Sequence, residues 1–213
     1  MAKTTVIKNQ HYPVHIDFSL PEEVRRASDY QWFTKILACF VEERFPRTLL
    51  KDMLEKSECR FRAGVVDFLK LAHAHNIPVL IFSGGLHDII QVMLETEKCD
   101  FPNVQILANR FKYDSEGLMV GAEEPFITAS SKLAVARESP YFTEVQRDHV
   151  LLLGDMLSDL KMAACAQHSA MLSVGYANTE KDVEPYQDHF DVVLPGNPGF
   201  EVVNEVLREI VEG

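Results

Sequence analysis

The chain has 213 residues, of which 46% are hydrophobic and 25% are charged, as in ordinary soluble globular proteins. Its formal net charge of -11 argues against a nucleic-acid partner, since such binders usually carry a basic excess. No run approaches the roughly 20 apolar residues of a membrane span, and residues 1–8 lack the apolar stretch of a secretory signal. The cysteines form no C-x-x-C pair, which indicates reduced core thiols and a cytoplasmic location; they are Cys39, Cys59, Cys99 and Cys165.

The first predicted elements are helices. Residues 22–57 carry apolar side chains at the spacing of one helical face, with an interruption at Pro46. Residues 65–72 repeat this amphipathic pattern, and residues 200–211 do so again near the C-terminus. We therefore expect a paired helical layer early in the chain and further helices beyond it.

The strands are predicted from short, mostly apolar runs, which suit strands buried on both faces of a parallel sheet. These runs cover residues 79–82, 104–107, 150–153, 170–174 and 191–194. Residues 111–120 instead predict a hairpin around a turn signal at residues 114–117. Because strands and helices alternate through short connections, the sequence predicts a parallel α/β sheet covered by helices on both faces.

A candidate phosphate cradle follows the first predicted strand. Ligands of open parallel sheets bind at the carboxyl ends of the strands, and Ser83, Gly84 and Gly85 lie at such an end. A hydroxyl beside two glycines, with a helix starting just beyond, lets backbone N–H groups approach an anion. The alternative is a tight strand-to-helix turn that holds no ligand.

A candidate metal site follows the predicted strand of residues 150–153. Asp155 and Asp159 are hard oxygen ligands of the kind that suit Mg²⁺, which one or two carboxylates usually hold together with waters and phosphate. The alternative is that one aspartate only caps a helix, which suits Asp159 better than Asp155. Lys132, at the start of another predicted helix, is placed to neutralise a phosphate, although such a lysine is often only a solvated surface charge.

In chain order, these candidates resemble three motifs of the haloacid dehalogenase (HAD) superfamily of phosphotransferases. Within it, the sequence is similar to the cytosolic 5′-nucleotidase III family of pyrimidine and 7-methylguanosine monophosphate nucleotidases, from about Tyr12 to the C-terminus. The similarity is carried by residues 77–83, 151–155, 159–163 and 191–194. It implies a HAD-like, Rossmann-like, doubly wound parallel sheet with a small helical cap. It also implies Mg²⁺-dependent hydrolysis of a nucleoside 5′-monophosphate to nucleoside and phosphate.

The resemblance assigns roles to the candidate residues. Ser83, Gly84 and Lys132 would bind the substrate phosphate, Asp155 would ligate Mg²⁺, and Asp159 would support the metal site. None of these assignments follows from spacing alone.

The resemblance also divides the chain into a partial helical cap, residues 12–60, and a partial α/β core, residues 61–213. The cap would cover the nucleoside. The family's base-recognising glutamate corresponds to His15 here, and a cap serine falls near Ile36. Base preference is therefore left open, because a neutral histidine accepts a hydrogen bond with one nitrogen only.

The attacking aspartate of the superfamily belongs to a D-x-D-x-T pattern, and these 213 residues contain no D-x-D string. The nearest string, residues 14–21, offers Asp17, but its better match is with the cap. The family's first strand would then lie upstream of Met1. Its absence would leave two unpaired strand edges, at the strands ending near Ser83 and Asp155, for which Thr4–Ile7 is a candidate short substitute.

Three hypotheses follow. The first is a HAD-type 5′-nucleotidase, a phosphoric monoester hydrolase, in which turnover by this chain itself is not expected because the family nucleophile is missing. The second is a truncated isoform or pseudo-enzyme that acts as a nucleotide- or protein-binding module. The third is an unrelated doubly wound domain in which the G-D-x-x-x-D string is fortuitous.

Overall fold

The computed structural model describes residues 2–15, 17, 19–57, 59–129 and 131–213. It contains two compact units. The first comprises Met1–Cys59, Ile81–Leu94 and Ile106–Ser131, and the second comprises Arg60–Leu80, Glu95–Gln105 and Lys132–Gly213. The predicted cap of residues 12–60 thus lies almost wholly in the first unit, which also holds two later segments.

Three helices open the first unit: α1 (Ala2–His15), α2 (Glu22–Glu42) and α3 (Leu49–Lys56). The interruption predicted at Pro46 is confirmed, since this residue lies between α2 and α3 and bridges to Leu118. The substitute strand at Thr4–Ile7 is wrong, because these residues belong to α1. The helix places His11 and His15 four residues apart on one face, where they hydrogen-bond to α2, a spacing that a strand does not provide.

Four strands contribute to the next part of the chain. β1 (Val79–Leu86) pairs with β2 (Val104–Asn109), and β3 (Phe111–Tyr113) pairs antiparallel with β4 (Met119–Ala122). The predicted hairpin is confirmed. Its turn is held by the Asp114 carboxylate, which accepts hydrogen bonds from the amides of Glu116 and Leu118, and Gly117 supplies a positive φ of 77°.

The core of the first unit is an aromatic-rich cluster between the hairpin and α2. Its buried members are Phe111, Met119, Ala122 and Phe126. Apolar side chains of α2 pack against them, among them Phe33, Leu37 and Phe40. The periodic apolar residues that predicted α2 therefore form its core-facing side.

The second unit contains a parallel three-stranded sheet in the order β5 (His149–Gly154), β6 (Ala170–Ala177) and β7 (Val192–Pro195). Its helices are α4 (Val65–Ala74), α6 (Lys132–Glu138), α7 (Tyr141–Glu144), α8 (Glu180–Gln187) and α9 (Glu201–Glu212), and α5 (His87–Thr96) lies mostly in the first unit. A 3-10 helix, Leu157–Cys165, takes the place of the α-helix expected after β5. The short helices α7 and α8 were not predicted.

Alternate residues of β5 enter different cores. Val150 and Leu152 pack in a cluster with Tyr186 of α8, while Leu151 and Leu153 pack in a cluster with Val203 of α9. Side chains alternate between the two faces of a strand, so both faces of this sheet are covered by helices. The doubly wound α/β prediction is therefore confirmed.

β1 and β5 are each the end strand of their sheet among the described residues, since β1 pairs with β2 and β5 pairs with β6. In the part of the chain that the structure covers, no helix is both long and apolar enough to cross a bilayer.

The cysteine prediction holds only in part. Of the three cysteines whose side chains are described, Cys99 is buried, Cys39 is half-buried and Cys59 is exposed. They are therefore not all core residues, and the Cys165 side chain lies outside the described ones.

Candidate functional site

Lys132 and Asp159 form a buried ion pair in the second unit. Lys132 is the first residue of α6, as predicted, and its Nζ lies 2.6 Å from Oδ1 of Asp159 in the 3-10 helix. The two side chains are 12% and 5% exposed. A lysine in this environment is not a solvated surface charge, so that alternative for Lys132 is wrong.

The second oxygen of Asp159 caps the 3-10 helix. Oδ2 accepts hydrogen bonds from the amides of Asp155 at 3.0 Å and Met156 at 3.1 Å. Gly154 permits this approach, because a Cβ there would lie 2.6 Å from Cβ of Asp159. The capping alternative for Asp159 is therefore observed, whereas its support of a metal stays a prediction.

Asp155 follows the last residue of β5, and its side chain is exposed. Nδ2 of Asn178 donates to Oδ2 of Asp155 at 3.3 Å, and the Tyr186 hydroxyl donates to the Asp155 carbonyl oxygen at 2.5 Å. Burial, reinforced by nearby carboxylates, raises the pKa of Tyr186 to about 12, so the phenol stays a donor. The Asp155 backbone is thus fixed from one side, while its carboxylate faces solvent.

These residues suit a Mg²⁺ ion bound with a phosphate. Within the described residues, no group of three or more His, Cys, Asp or Glu side chains is arranged to enclose a metal. Magnesium does not need such a cage, because it retains waters and is usually held by one or two carboxylates and a substrate phosphate. The exposed carboxylate of Asp155 has the chemistry of such a ligand.

Arg62 connects this site to the loop after β7, and the sequence reasoning missed it. Its guanidinium donates to Oδ1 of Asn178 at 2.8 Å, to the Pro198 carbonyl at 3.2 Å and to Oδ1 of Asn197. It also lies over the Tyr176 ring, 4.6 Å from the centroid. Arg62 therefore fixes the amide that contacts Asp155, a role for which a single sequence gives no signal.

Ser83 and Gly84 lie in the first unit, within β1. The alternative of a tight strand-to-helix turn at Ser83-Gly84-Gly85 is wrong, because β1 continues to Leu86 and α5 begins only at His87. Oγ of Ser83 accepts a hydrogen bond from the Gly85 amide at 2.9 Å. The serine oxygen is thereby oriented by its own backbone, with Gly84 exposed beside it.

Asn109 at the end of β2 was also missed. Its Nδ2 donates to the carbonyl oxygens of Gly84 at 2.9 Å and Ile127 at 2.8 Å, and its Oδ1 accepts from the Ile127 amide at 2.8 Å. A Cβ on Gly84 would lie 3.3 Å from the Ile127 carbonyl oxygen. A side chain at residue 84 would therefore press against this backbone, so glycine is favoured here by the close approach rather than by a positive φ.

The predicted base-recognition residues lie on the helical layer. Nδ1 of His15 lies 2.8 Å from Oδ1 of the buried Asp29, and its ring neighbours are Tyr12 and Trp32, with centroids at 6.2 and 5.7 Å. Ile36 is half-buried on α2. Both residues keep their base-recognition roles as predictions.

Asp17 lies between α1 and α2, not at the end of a strand. Its carboxylate accepts hydrogen bonds from the Ser19 amide at 3.0 Å and the Ser19 hydroxyl at 2.5 Å, and these bonds lower the pKa of Asp17. Ile16, within the string that matches the cap, lies outside the described residues. The position of Asp17 agrees with a cap loop and not with a nucleophile on a first strand.

The structure therefore brings three of the predicted residues together, Lys132, Asp155 and Asp159, at the carboxyl end of β5. Ser83 and Gly84 lie within β1 in the other unit, where Asn109 and Ile127 are neighbours of Gly84.

The second unit is thus a parallel sheet covered by helices on both faces, with charged groups at the carboxyl end of β5, as in an α/β fold of the doubly wound class. The fold is similar to the crystal structure of cytosolic 5′-nucleotidase IIIB bound to cytidine, with a TM-score of 0.80 and 22% identity over 99% of this chain and 72% of that one. It is also similar to a HAD family hydrolase from Salmonella enterica, with a TM-score of 0.63 and 18% identity over 94% of this chain and 59% of that one.

The particular family is shown by sequence. The family model described as pyrimidine 5′-nucleotidase (UMPH-1) matches residues 1–211, so the chain belongs to that family. A curated relative, the 7-methylguanosine phosphate-specific 5′-nucleotidase of Mus musculus, is 28% identical over 212 residues, which are 97% of this chain and 71% of that protein. The predicted HAD-type 5′-nucleotidase family is therefore confirmed.

Proposed function

We propose that this chain binds a nucleoside 5′-monophosphate together with Mg²⁺, through the phosphate- and metal-binding groups of a HAD-type 5′-nucleotidase. The observation that carries the proposal is the Lys132–Asp159 pair beside the exposed carboxylate of Asp155. Membership of a 5′-nucleotidase family supports the same substrate class.

In this proposal Ser83, Gly84 and Lys132 bind the phosphate. The Ser83 oxygen already accepts the Gly85 amide, which leaves the hydroxyl proton to donate to a phosphate oxygen. The exposed Gly84 lets the substrate approach the backbone closely. The Lys132 ammonium has three protons, so it can keep its bond to Asp159 and donate to the phosphate as well.

Asp155 would hold the Mg²⁺ ion, and Asp159 would keep Lys132 and the Asp155 amide in place. When bound, the ion supplies positive charge at the phosphate oxygens. Asn178 holds the Asp155 carboxylate from one side, so the lone pairs away from this contact are the ones directed to a metal.

Hydrolysis by these 213 residues alone is not part of the proposal. Covalent phosphoryl transfer needs a positioned carboxylate, and no D-x-D string supplies it. Asp17, the nearest alternative, caps a turn between two helices. We therefore propose nucleotide binding without turnover by this chain.

The proposal assigns residues 12–60 to a cap over the nucleoside, with His15 facing the base and Ile36 near it. An ionised Asp29 can only accept, so Nδ1 of His15 carries the proton that it donates. In the neutral ring Nε2 is then an acceptor, which suits an exocyclic amine such as that of cytosine. 7-Methylguanine carries an exocyclic amine as well, so base preference stays open and CMP serves as one of two suitable probes. A cytoplasmic location is part of the same proposal.

The test is a calorimetric titration of CMP into the protein, with Mg²⁺ and with EDTA. Asp155→Asn removes the proposed metal ligand, and Asp67→Asn, on the exposed side of α4, is a matched control for the loss of one charge. We expect binding that weakens about tenfold or more in EDTA and in Asp155→Asn, with Asp67→Asn unchanged. Failure of the folded chain to bind CMP, or binding indifferent to both Mg²⁺ and Asp155, would overturn the proposal.

A further inference from the structure

We infer that Asn109 is a positioning residue for phosphate recognition: its buried amide fixes Gly84 of β1, beside Ser83, against the backbone at Ile127. The inference rests on the proposed function, because it assumes that Ser83 and Gly84 bind phosphate. It assigns a role to a residue that belongs to none of the phosphate, metal or base candidates.

The hydrogen-bonding geometry of Asn109 is that of a structural clamp. The residue is 2% exposed, and both amide protons and the amide oxygen are used. With Ile127 it exchanges two hydrogen bonds of 2.8 Å, one in each direction, as two strand residues do. The Asn109 side chain thus pairs with the Ile127 backbone as a neighbouring strand would, and it links the segment of residues 126–128 to β1.

The clamp acts at the place where phosphate is proposed to bind. The Gly84 carbonyl oxygen accepts from Asn109, so the orientation of the Gly84–Gly85 peptide, whose N–H binds Ser83 Oγ, depends on this side chain. The same side chain fixes the Ile127 backbone through two further hydrogen bonds. The Gly84–Gly85 peptide and the backbone at Ile127 are therefore oriented through one buried amide.

Replacing Asn109 by aspartate tests the hydrogen bonds of the side chain without changing its size. Asn109→Asp keeps nearly the same shape and can still accept from Ile127, but it replaces both donated bonds by contacts between oxygen atoms. Asn204→Asp is the matched control, since Asn204 is 5% exposed and its Nδ2 donates to the Gly64 carbonyl at 3.0 Å rather than to a phosphate candidate. Asn109→Ser is a milder variant in case the aspartate prevents folding.

The experiment measures two affinities for each folded variant by calorimetry: inorganic phosphate at fixed Mg²⁺, and Mg²⁺ alone. We expect Asn109→Asp or Asn109→Ser to weaken phosphate binding about 10–100-fold with Mg²⁺ affinity unchanged, and Asn204→Asp to change neither. Hydrogen exchange should rise at residues 83–86 and 126–129 in the Asn109 variants only. If Asn109 only stabilised the fold, its variants would not weaken phosphate binding while leaving the Mg²⁺ affinity unchanged.

The outcomes separate the inference from the proposed function. If the wild-type protein binds phosphate and the Asn109 variants bind it with the same affinity, the inference is overturned and the proposed function stands. An equal loss in the Asn204 and Asn109 variants would also overturn it. No phosphate binding by the folded wild-type chain would overturn the proposed phosphate site and the inference with it.

Discussion

Replacing Asp159 by asparagine should destabilise the protein far more than the loss of an ordinary helix cap. The carboxylate is 5% exposed and lies 2.6 Å from the Lys132 ammonium. At an effective dielectric constant of 20, two unit charges at 2.6 Å attract by about 6 kcal/mol, before the burial of both charges is subtracted. Removing one partner of a buried pair usually costs about 3–5 kcal/mol, because the other charge stays buried and unpaired.

The expected loss for Asp159→Asn is therefore about 3–5 kcal/mol in the free energy of unfolding. Asparagine can still accept hydrogen bonds from the amides of Asp155 and Met156, so the change isolates the contact with Lys132. The double variant Asp159→Asn/Lys132→Met removes both charges. Its loss should be smaller than the sum of the two single losses by about 1–3 kcal/mol.

Urea unfolding followed by circular dichroism measures these free energies by linear extrapolation. Asp182→Asn is the matched control, since Asp182 caps α8 by accepting from the amide and hydroxyl of Thr179. It should lose about 1 kcal/mol. A loss for Asp159→Asn no larger than that of Asp182→Asn, or strict additivity with Lys132→Met, would refute the reasoning.

Two further predictions concern stability and pH. Ser173 is 2% exposed and its hydroxyl donates to Asp191 at 2.7 Å, so Ser173→Ala should cost about 1–2 kcal/mol in urea unfolding, while the exposed Ser169→Ala changes little. These bonds lower the pKa of Asp191 in the folded protein. Their stabilisation is therefore fully present above the unfolded pKa of about 4 and is lost as the pH falls through the folded pKa. If stability below about pH 4 depended on pH in Ser173→Ala as it does in the wild type, this explanation would be contradicted. Burial, and then the Lys35 charge, lowers the pKa of His11, so wild-type stability should fall as the pH drops below about 6.5, where the unfolded histidine gains its proton. His11→Gln should lack that part of the pH dependence, and an identical profile in the variant would exclude His11 as its source.

The sequence predicted the helices and strands whose own residues show a clear pattern of apolar side chains. The strands around residues 79–82, 150–153 and 170–174 are short apolar runs, and α2 shows a clear helical period. α1 was missed because its apolar residues are few. It forms because His11 and its neighbours contact α2, an interaction between segments that local propensity does not contain.

The candidate site divides in the same way. Lys132, Asp155 and Asp159 were found because a chemical motif requires those residue types in that order. Asn109 and Arg62 were not, because each acts through backbone carbonyls and amides that only the folded chain brings within reach. Neither residue lies in a distinctive string, so a single sequence gives no signal for them.

The central claim is that these 213 residues bind nucleotide and Mg²⁺ without turning the nucleotide over. The most direct test is phosphate release from CMP and 7-methyl-GMP by the folded chain with Mg²⁺, with Asp155→Asn measured beside it. We expect no release above that of Asp155→Asn, in a sample that binds CMP by calorimetry. Mg²⁺-dependent release that disappears in Asp155→Asn would contradict it, and would require a nucleophile outside the D-x-D pattern, with Asp17 the first to replace.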